Sequence, residues 1–98
     1  MPSYSILFTE LAEREYLEAF YYYEEQLPGL GKKLEHELDV IIKSIAKNPF
    51  LFQRKFKHYR EVLLKKFPYF IVYEIIGNSV IINSVFHTSR NPKTKIKS

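Results

Sequence analysis

A proline at position 49 divides the chain into two parts that cannot fold alike. Before Asn48-Pro49 the apolar residues recur at spacings of three and four; after it they come in short β-rich runs. Proline disfavours helical geometry in the residue before it, so a helix running into Asn48 must stop there. The first helical stripe is Ala12, Tyr16, Ala19, Phe20, Tyr23 and Leu27, with Glu13, Arg14, Glu18, Glu24 and Glu25 largely outside it. Thr9 stands ahead of that stripe as an N-cap, and Glu10 and Glu13 sit where the positive end of a helix dipole favours acids. Pro28-Gly29 breaks the helix. A second stripe, Leu30, Leu34, Leu38, Ile41 or Ile42, and Ile45, then runs to Asn48. With so short a connection, the two helices predict an antiparallel hairpin.

Strands flank this hairpin. Tyr4–Phe8 is short and β-prone, and Phe50–Tyr59 is expected to hold a short or irregular strand. Arg60–Phe67, Phe70–Ile76 and Ser79–His87 are the principal β runs. Gly77-Asn78 is a two-residue hairpin signal, and Phe67-Pro68-Tyr69 places a proline in a turn, where it costs no ladder bond. The expected class is α+β: an N-terminal strand, an antiparallel helical hairpin, then an antiparallel meander of three to four strands covered on one side. One domain is expected over residues 1–92, followed by a basic, flexible tail at 93–98.

Simple alternation groups Val80, Ile82, Ser84 and Phe86 on one face, with Ile81, Asn83, Val85 and His87 on the other. The preceding strand divides into Phe70, Val72, Glu74 and Ile76 against Ile71, Tyr73 and Ile75. Both faces are apolar, and one hairpin covers only one of them. The second face is expected to need the tail, the 50–59 segment or a protein partner.

The charge is divided as the fold is. Residues 1–47 hold nine acids and five bases, while residues 48–98 hold two acids, Glu61 and Glu74, and ten bases. A C-terminal part this basic attracts polyanions or an acidic protein segment. With no cysteine, disulfides, thiolate zinc sites and thiol catalysis are excluded. Three scattered histidines (His36, His58, His87) make no metal centre, and neither metal nor cofactor is expected. Residues 1–8 have no leader-like pattern, and no run approaches the roughly 18 apolar residues of a membrane span. A soluble, cytoplasmic chain without a membrane partner is the expectation.

Arg60, Lys65, Lys66, Tyr73, His87 and Arg90 are the candidate site residues, all on or beside strands. Strand ends of a meander can meet at one edge, and a cluster of Arg, Lys and His there would suit phosphate binding. It would also suit metal-free RNA cleavage, with His87 as acid or base. A strand-terminal histidine that serves structure, and a solvated Lys65-Lys66 pair at a turn, account for the same residues. Tyr21-Tyr22-Tyr23 cannot form one stacking platform, because successive helical positions point about 100° apart.

Tyr22-Tyr23-Glu24-Glu25-Gln26 with Leu30-Gly31, then a second helix ending in Asn48-Pro49, resembles the hairpin of RelE/ParE-superfamily toxins. Arg60 to Tyr69, Val72-Tyr73-Glu74 and Val85 to Pro92 resemble their sheet and C-terminal motif. The resemblance spans about Ser5 to Pro92. It implies a growth-inhibiting, plasmid-stabilising toxin of a bacterial or archaeal type II toxin–antitoxin module, neutralised by a cognate antitoxin, with operator DNA reached only through that antitoxin. RelE-like members cleave mRNA at the ribosome; ParE-like members poison DNA gyrase. For the RNase reading the candidates are Arg60, Lys66, His87 and Arg90. For antitoxin or target binding they are Arg60, Lys65, Tyr73, His87 and Arg90. No tyrosine follows Tyr73, so the C-terminal tyrosine common among the RNases is missing. That absence, with the Phe67-Pro68-Tyr69 and His87-to-Pro92 motifs, points to a ParE-like, non-enzymatic toxin acting on gyrase; the alternatives are a RelE-like, metal-independent mRNA endoribonuclease and a degenerate toxin that only binds antitoxin.

Overall fold

The computed structural model describes residues 3–89. Its elements are β1 (Ser5–Phe8), α1 (Glu10–Gln26), α2 (Leu30–Lys47), β2 (Arg54–Phe56), β3 (Tyr59–Leu63), β4 (Tyr69–Ile76) and β5 (Ser79–His87). They form one five-stranded sheet in the order β1-β5-β4-β3-β2. The expected α+β architecture, with its helical hairpin and meander, is what the chain adopts. The expected tail and Arg90 lie outside the described residues.

The helix boundaries follow from local chemistry. The Thr9 hydroxyl accepts from the Ala12 N–H at 3.0 Å, with Glu10 and Glu13 in the first turn of α1. At the corner, Gly29 takes φ = 93°, a left-handed conformation that glycine adopts without a Cβ clash. Gly29 has no side chain to cap α2, and the Glu24 carboxylate of α1 supplies the cap. Its Oε1 accepts from Gly29 N–H at 3.0 Å and Lys32 N–H at 3.3 Å. Gly31 makes room for that reach. A Cβ there would lie 2.6 Å from the Phe20 carbonyl oxygen and 2.7 Å from Glu24 Cγ. Asn48 ends α2, and its Oδ1 accepts from Phe50 N–H at 3.2 Å.

The hairpin buries Ala12 and Ala19 of α1 and Leu34, Leu38 and Ile45 of α2 against one face of the sheet. That face carries Val62, Tyr69, Ile71, Tyr73, Val80, Ile82 and Val85. These residues do not follow the simple alternation expected for β5. Val72 pairs with Ser84 and Tyr73 with Ile82, leaving Asn83 as an extra residue, a β-bulge. The bulge shifts the phase. Val80 and Ile82 face the helices before it, and Val85 and His87 do so after it, opposite Ile71 and Tyr69. The grouping of Phe86 with Val80 and Ile82 is therefore corrected: Phe86 pairs with Phe70, on the face away from the helices.

Three further expectations change. β1 pairs with β5 in parallel, Ser5 opposite Ser79 through Phe8 opposite Ile82, so the sheet is mixed. β3 ends at Leu63 instead of Phe67: Leu64 N–H donates to the Tyr69 carbonyl at 2.9 Å, and the Glu37 carboxylate of α2 captures the two donors after it. Lys65 N–H donates to its Oε2, and Lys66 N–H to its Oε1 at 3.0 Å. The 50–59 segment covers the second face only in part, where His58 Nε2 meets Glu74 at 2.9 Å. Its later part forms the edge strand β2 and its earlier part packs on the helix side, with Phe52 against the core. On the second face Leu63 and Ile76 stay more than half exposed, at 52% and 58%.

Gly31→Ala should lower stability by about 1–3 kcal/mol, because the new methyl group meets backbone that must move. Alanine's better helix propensity, worth about 1 kcal/mol, offsets only part of this. A thermal melt checks it; an unchanged or higher midpoint would mean that the hairpin separates freely.

Candidate functional site

The candidate residues fall into two groups along β4, one at its middle and one at its start. At mid-strand Arg60 pairs with Tyr73 across β3 and β4, both on the helix side. The Tyr73 hydroxyl donates to the Pro49 carbonyl at 2.7 Å, and Arg60 Nη1 donates to the Phe52 carbonyl at 2.7 Å. The Arg60 guanidinium also lies over the Phe50 ring, 5.1 Å from its centroid. Burial pushes the Tyr73 phenol up, against the opposing pull of the Arg60 charge and the Phe52 backbone. Together the two side chains fasten residues 49–52 to the sheet. Phe50 and Leu51 stay exposed on that fastened loop, at 58% and 57%.

At the start of β4 His87 pairs with Tyr69, and their rings meet edge to face with centroids 5.1 Å apart. Tyr23 of α1 contacts Tyr69 at 6.3 Å and Phe67 at 5.0 Å, and Tyr22 closes on Tyr23 at 5.1 Å. Tyr22, Tyr23, Tyr69 and His87 line a cavity of about 230 Å³. Ser89 N–H donates to His87 Nδ1 at 3.2 Å, which puts the proton of the neutral imidazole on Nε2. The β3–β4 turn that carries exposed Lys65 and Lys66 lies at this same end. It is tied to the strand terminus by a bond from Thr88 N–H to the Pro68 carbonyl at 2.8 Å.

Lys65, Lys66 and His87 thus share one end of the sheet. Arg60 and Tyr73 do not join them. The β4 partners of Arg60 and His87 are Tyr73 and Tyr69, four residues apart, or ~13 Å along the strand. This end exposes the Lys65 and Lys66 ammonium groups and the Tyr22 ring.

The structure adds residues that were not among the candidates. Glu37 holds the Lys65-Lys66 turn from α2. Glu15 accepts from Ser84 Oγ at 2.8 Å and Val85 N–H at 2.9 Å. Glu74, mid-strand, takes His58 Nε2 at 2.9 Å and Asn83 Nδ2 at 3.1 Å. Glu15 adjoins Tyr16 at the margin of the first apolar stripe, which was the available signal; Glu37 has no such marker. Among the described residues no group of three or more His, Cys, Asp or Glu is placed to hold a metal ion, and no helix is long and apolar enough to cross a membrane.

Tyr73→Phe should cost about 1–3 kcal/mol in urea unfolding, because the Pro49 carbonyl loses its buried donor. Faster amide exchange at residues 50–53 should accompany it. An unchanged midpoint would show that the loop holds itself.

Over residues 6–92 the sequence matches the family described as the ParE toxin of the type II toxin-antitoxin system, parDE. It is 33% identical over 81 residues to Toxin ParE2 of Mycobacterium tuberculosis strain CDC 1551 / Oshkosh, covering 82% of this chain and 77% of the relative. The same figures hold for Toxin ParE2 of strain ATCC 25618 / H37Rv. The fold is similar to the chromosomal ParDE TA system from P. aeruginosa, with a TM-score of 0.76 and 13% identity. That match covers 88% of this chain and 97% of the other. At such identity the structural likeness speaks for the fold, and the sequence matches speak for the family. The chain belongs to the ParE toxin family of type II toxin–antitoxin systems.

Proposed function

We propose that this toxin acts by binding DNA gyrase, without chemistry of its own, and that a cognate antitoxin neutralises it. The observation that carries the choice is the separation of Arg60 from His87. A phosphate-cleaving centre needs its cation and its acid or base around one scissile bond, within hydrogen-bond reach. Arg60 instead spends its guanidinium on the Phe52 carbonyl and the Phe50 ring. Lys65, Lys66 and His87 are then binding residues at the end of the sheet. Arg60 and Tyr73 contribute through the loop they hold, which presents Phe50 and Leu51. Phe50 and Leu51 offer an aromatic and an aliphatic anchor on that loop, apart from the cationic end of the sheet, and each is the kind of group that protein-binding surfaces use. The fold by itself does not choose between gyrase and mRNA, since one scaffold hosts different activities.

The purified chain should inhibit gyrase supercoiling, and its expression should induce the SOS response while translation continues. Lys65→Ala with His87→Ala should weaken inhibition by at least about tenfold with the melting temperature unchanged, the scale expected for removing interface anchors. Normal supercoiling at saturating toxin, or immediate translation arrest without SOS, would overturn the gyrase assignment and return Arg60, Lys66 and His87 to the RNase reading.

A further inference from the structure

From Val40 to Arg60 the chain holds six bases and no acid. Four of the six, Arg54, Lys55, Lys57 and Arg60, lie on β2, on β3 and in the Lys57-His58 turn between them. Arg54 stands directly opposite Arg60 across the two strands. Like charges so placed face each other across about 5 Å and weaken the pairing. Among the described residues no carboxylate makes an ion pair with any of the four. The two acids of residues 48–98 are turned elsewhere. Glu61 follows Arg60 and so faces the other side of β3, and Glu74 takes His58 on that side.

The backbone fixes these cations in place. Lys57 takes φ = 53°, in the left-handed region that glycine enters far more easily, so a turn selected for stability alone would not carry lysine there. Arg60 is held from within: one of its five N–H donors meets the Phe52 carbonyl at 2.7 Å, and its guanidinium lies over the Phe50 ring. Lys57 Nζ lies 5.3 Å from the centroid of the Phe56 ring. Both exposed rings already carry a cation, so they position charge and are not open platforms for stacked bases. β2 has only three residues, too short an edge for an added peptide strand. Repulsion without an internal counter-charge, on a fixed frame, is relieved by an anion from outside.

We propose that the β2–β3 hairpin is a contact site for the phosphate backbone of duplex DNA, engaged without reading of base sequence. The Arg54 and Arg60 guanidinium groups grip phosphate oxygens, and Lys55 and Lys57 add point charges beside them. A phosphate between the two arginines turns their mutual repulsion into shared attraction. A duplex presents a regular, stiff row of phosphates, which suits cations carried on a strand pair and a pinned loop. The site lies apart from Lys65 and Lys66, since the hairpin tip precedes β3 and the lysine pair follows it. The assignment does not depend on the gyrase reading, because it needs only this chain and DNA.

The test is fluorescence anisotropy of a labelled, mixed-sequence DNA duplex titrated with the full chain over a range of salt concentrations. Arg54→Gln with Lys57→Gln should weaken binding about tenfold and flatten the log–log salt dependence by about 2, close to one unit for each phosphate contact removed. Lys32→Gln with Lys33→Gln removes the same charge from exposed positions at the far end of α2, roughly 25 Å from Pro49 along the helix, and should cost less than about twofold. Lys57→Gly alone keeps the fold, since glycine suits the turn, and should still weaken binding by about threefold. Equal losses in the two double variants would mean that only net charge matters and would overturn the proposal. So would tighter binding of a single-stranded RNA of the same sequence, or equal binding of a poly-glutamate of matched charge, which would assign the hairpin to RNA or to an acidic protein segment.

Discussion

One extra residue in β5 decides which side chains this protein can use. Without the bulge at Asn83, Phe86 would follow Val80 and Ile82 into the core, and His87 would point away from the helices. With it, His87 stands against Tyr69 and next to Tyr22 and Tyr23. A bulge leaves main-chain groups out of the ladder, and they must be satisfied elsewhere. The Asn83 carbonyl takes the Thr9 hydroxyl at 3.2 Å, and Val85 N–H is taken by Glu15 at 2.9 Å. Thr9 and Glu15 lie at the start of α1, so the irregularity in the last strand is held by the first helix. The Thr9 hydroxyl also caps that helix. The helix start, the strand phase and the aim of His87 are thus one coupled arrangement.

The same economy operates in the middle of β4. Arginine and tyrosine on a strand facing a helical hairpin would be costly if left unpaired in an apolar layer. Here their polar atoms serve the carbonyls of Pro49 and Phe52, just past the end of α2. The stop that proline imposes on α2 creates the loop, and Arg60 and Tyr73 give it a fixed shape. Exposed aromatic and aliphatic side chains on a fixed loop lose little entropy on binding, which is what a contact surface requires.

Much of this was legible in the residues. Both helices, the Thr9 cap, the Gly77-Asn78 turn (Gly77 at φ = 60°) and the extent of β5 follow from local rules. The parallel pairing of β1 was not legible, because its partner lies some seventy residues away and strand direction leaves no mark on four residues. The bulge was hidden for a related reason: Ser84 and Val85 are acceptable in either phase, and only the Glu15 and Thr9 contacts choose between them. The turn past the early end of β3 is held by Glu37, on a helix distant in sequence. For the site, chemistry suggested residue types correctly but not their neighbourhood. Arg60 and His87 both lie near strand termini, and only register sets them four residues apart along β4, at Tyr73 and Tyr69.

The split of charge between the two parts of the sequence acquires a spatial meaning through this topology. Because β1 pairs with β5, the acidic N-terminal part is folded back beside the end of the chain instead of lying apart from it. Carboxylates of that part then do two kinds of work. Glu15, Glu24 and Glu37 are turned inward on backbone donors, capping a helix, a bulge and a turn. Glu13, Glu35 and Asp39 are left around an apolar cleft. Lys65, Lys66 and His87 gather at the basic end, while Arg60 is drawn into the loop. A protein that must engage more than one partner gains from such division, since surfaces of opposite sign exclude each other's ligands before any detailed contact is made.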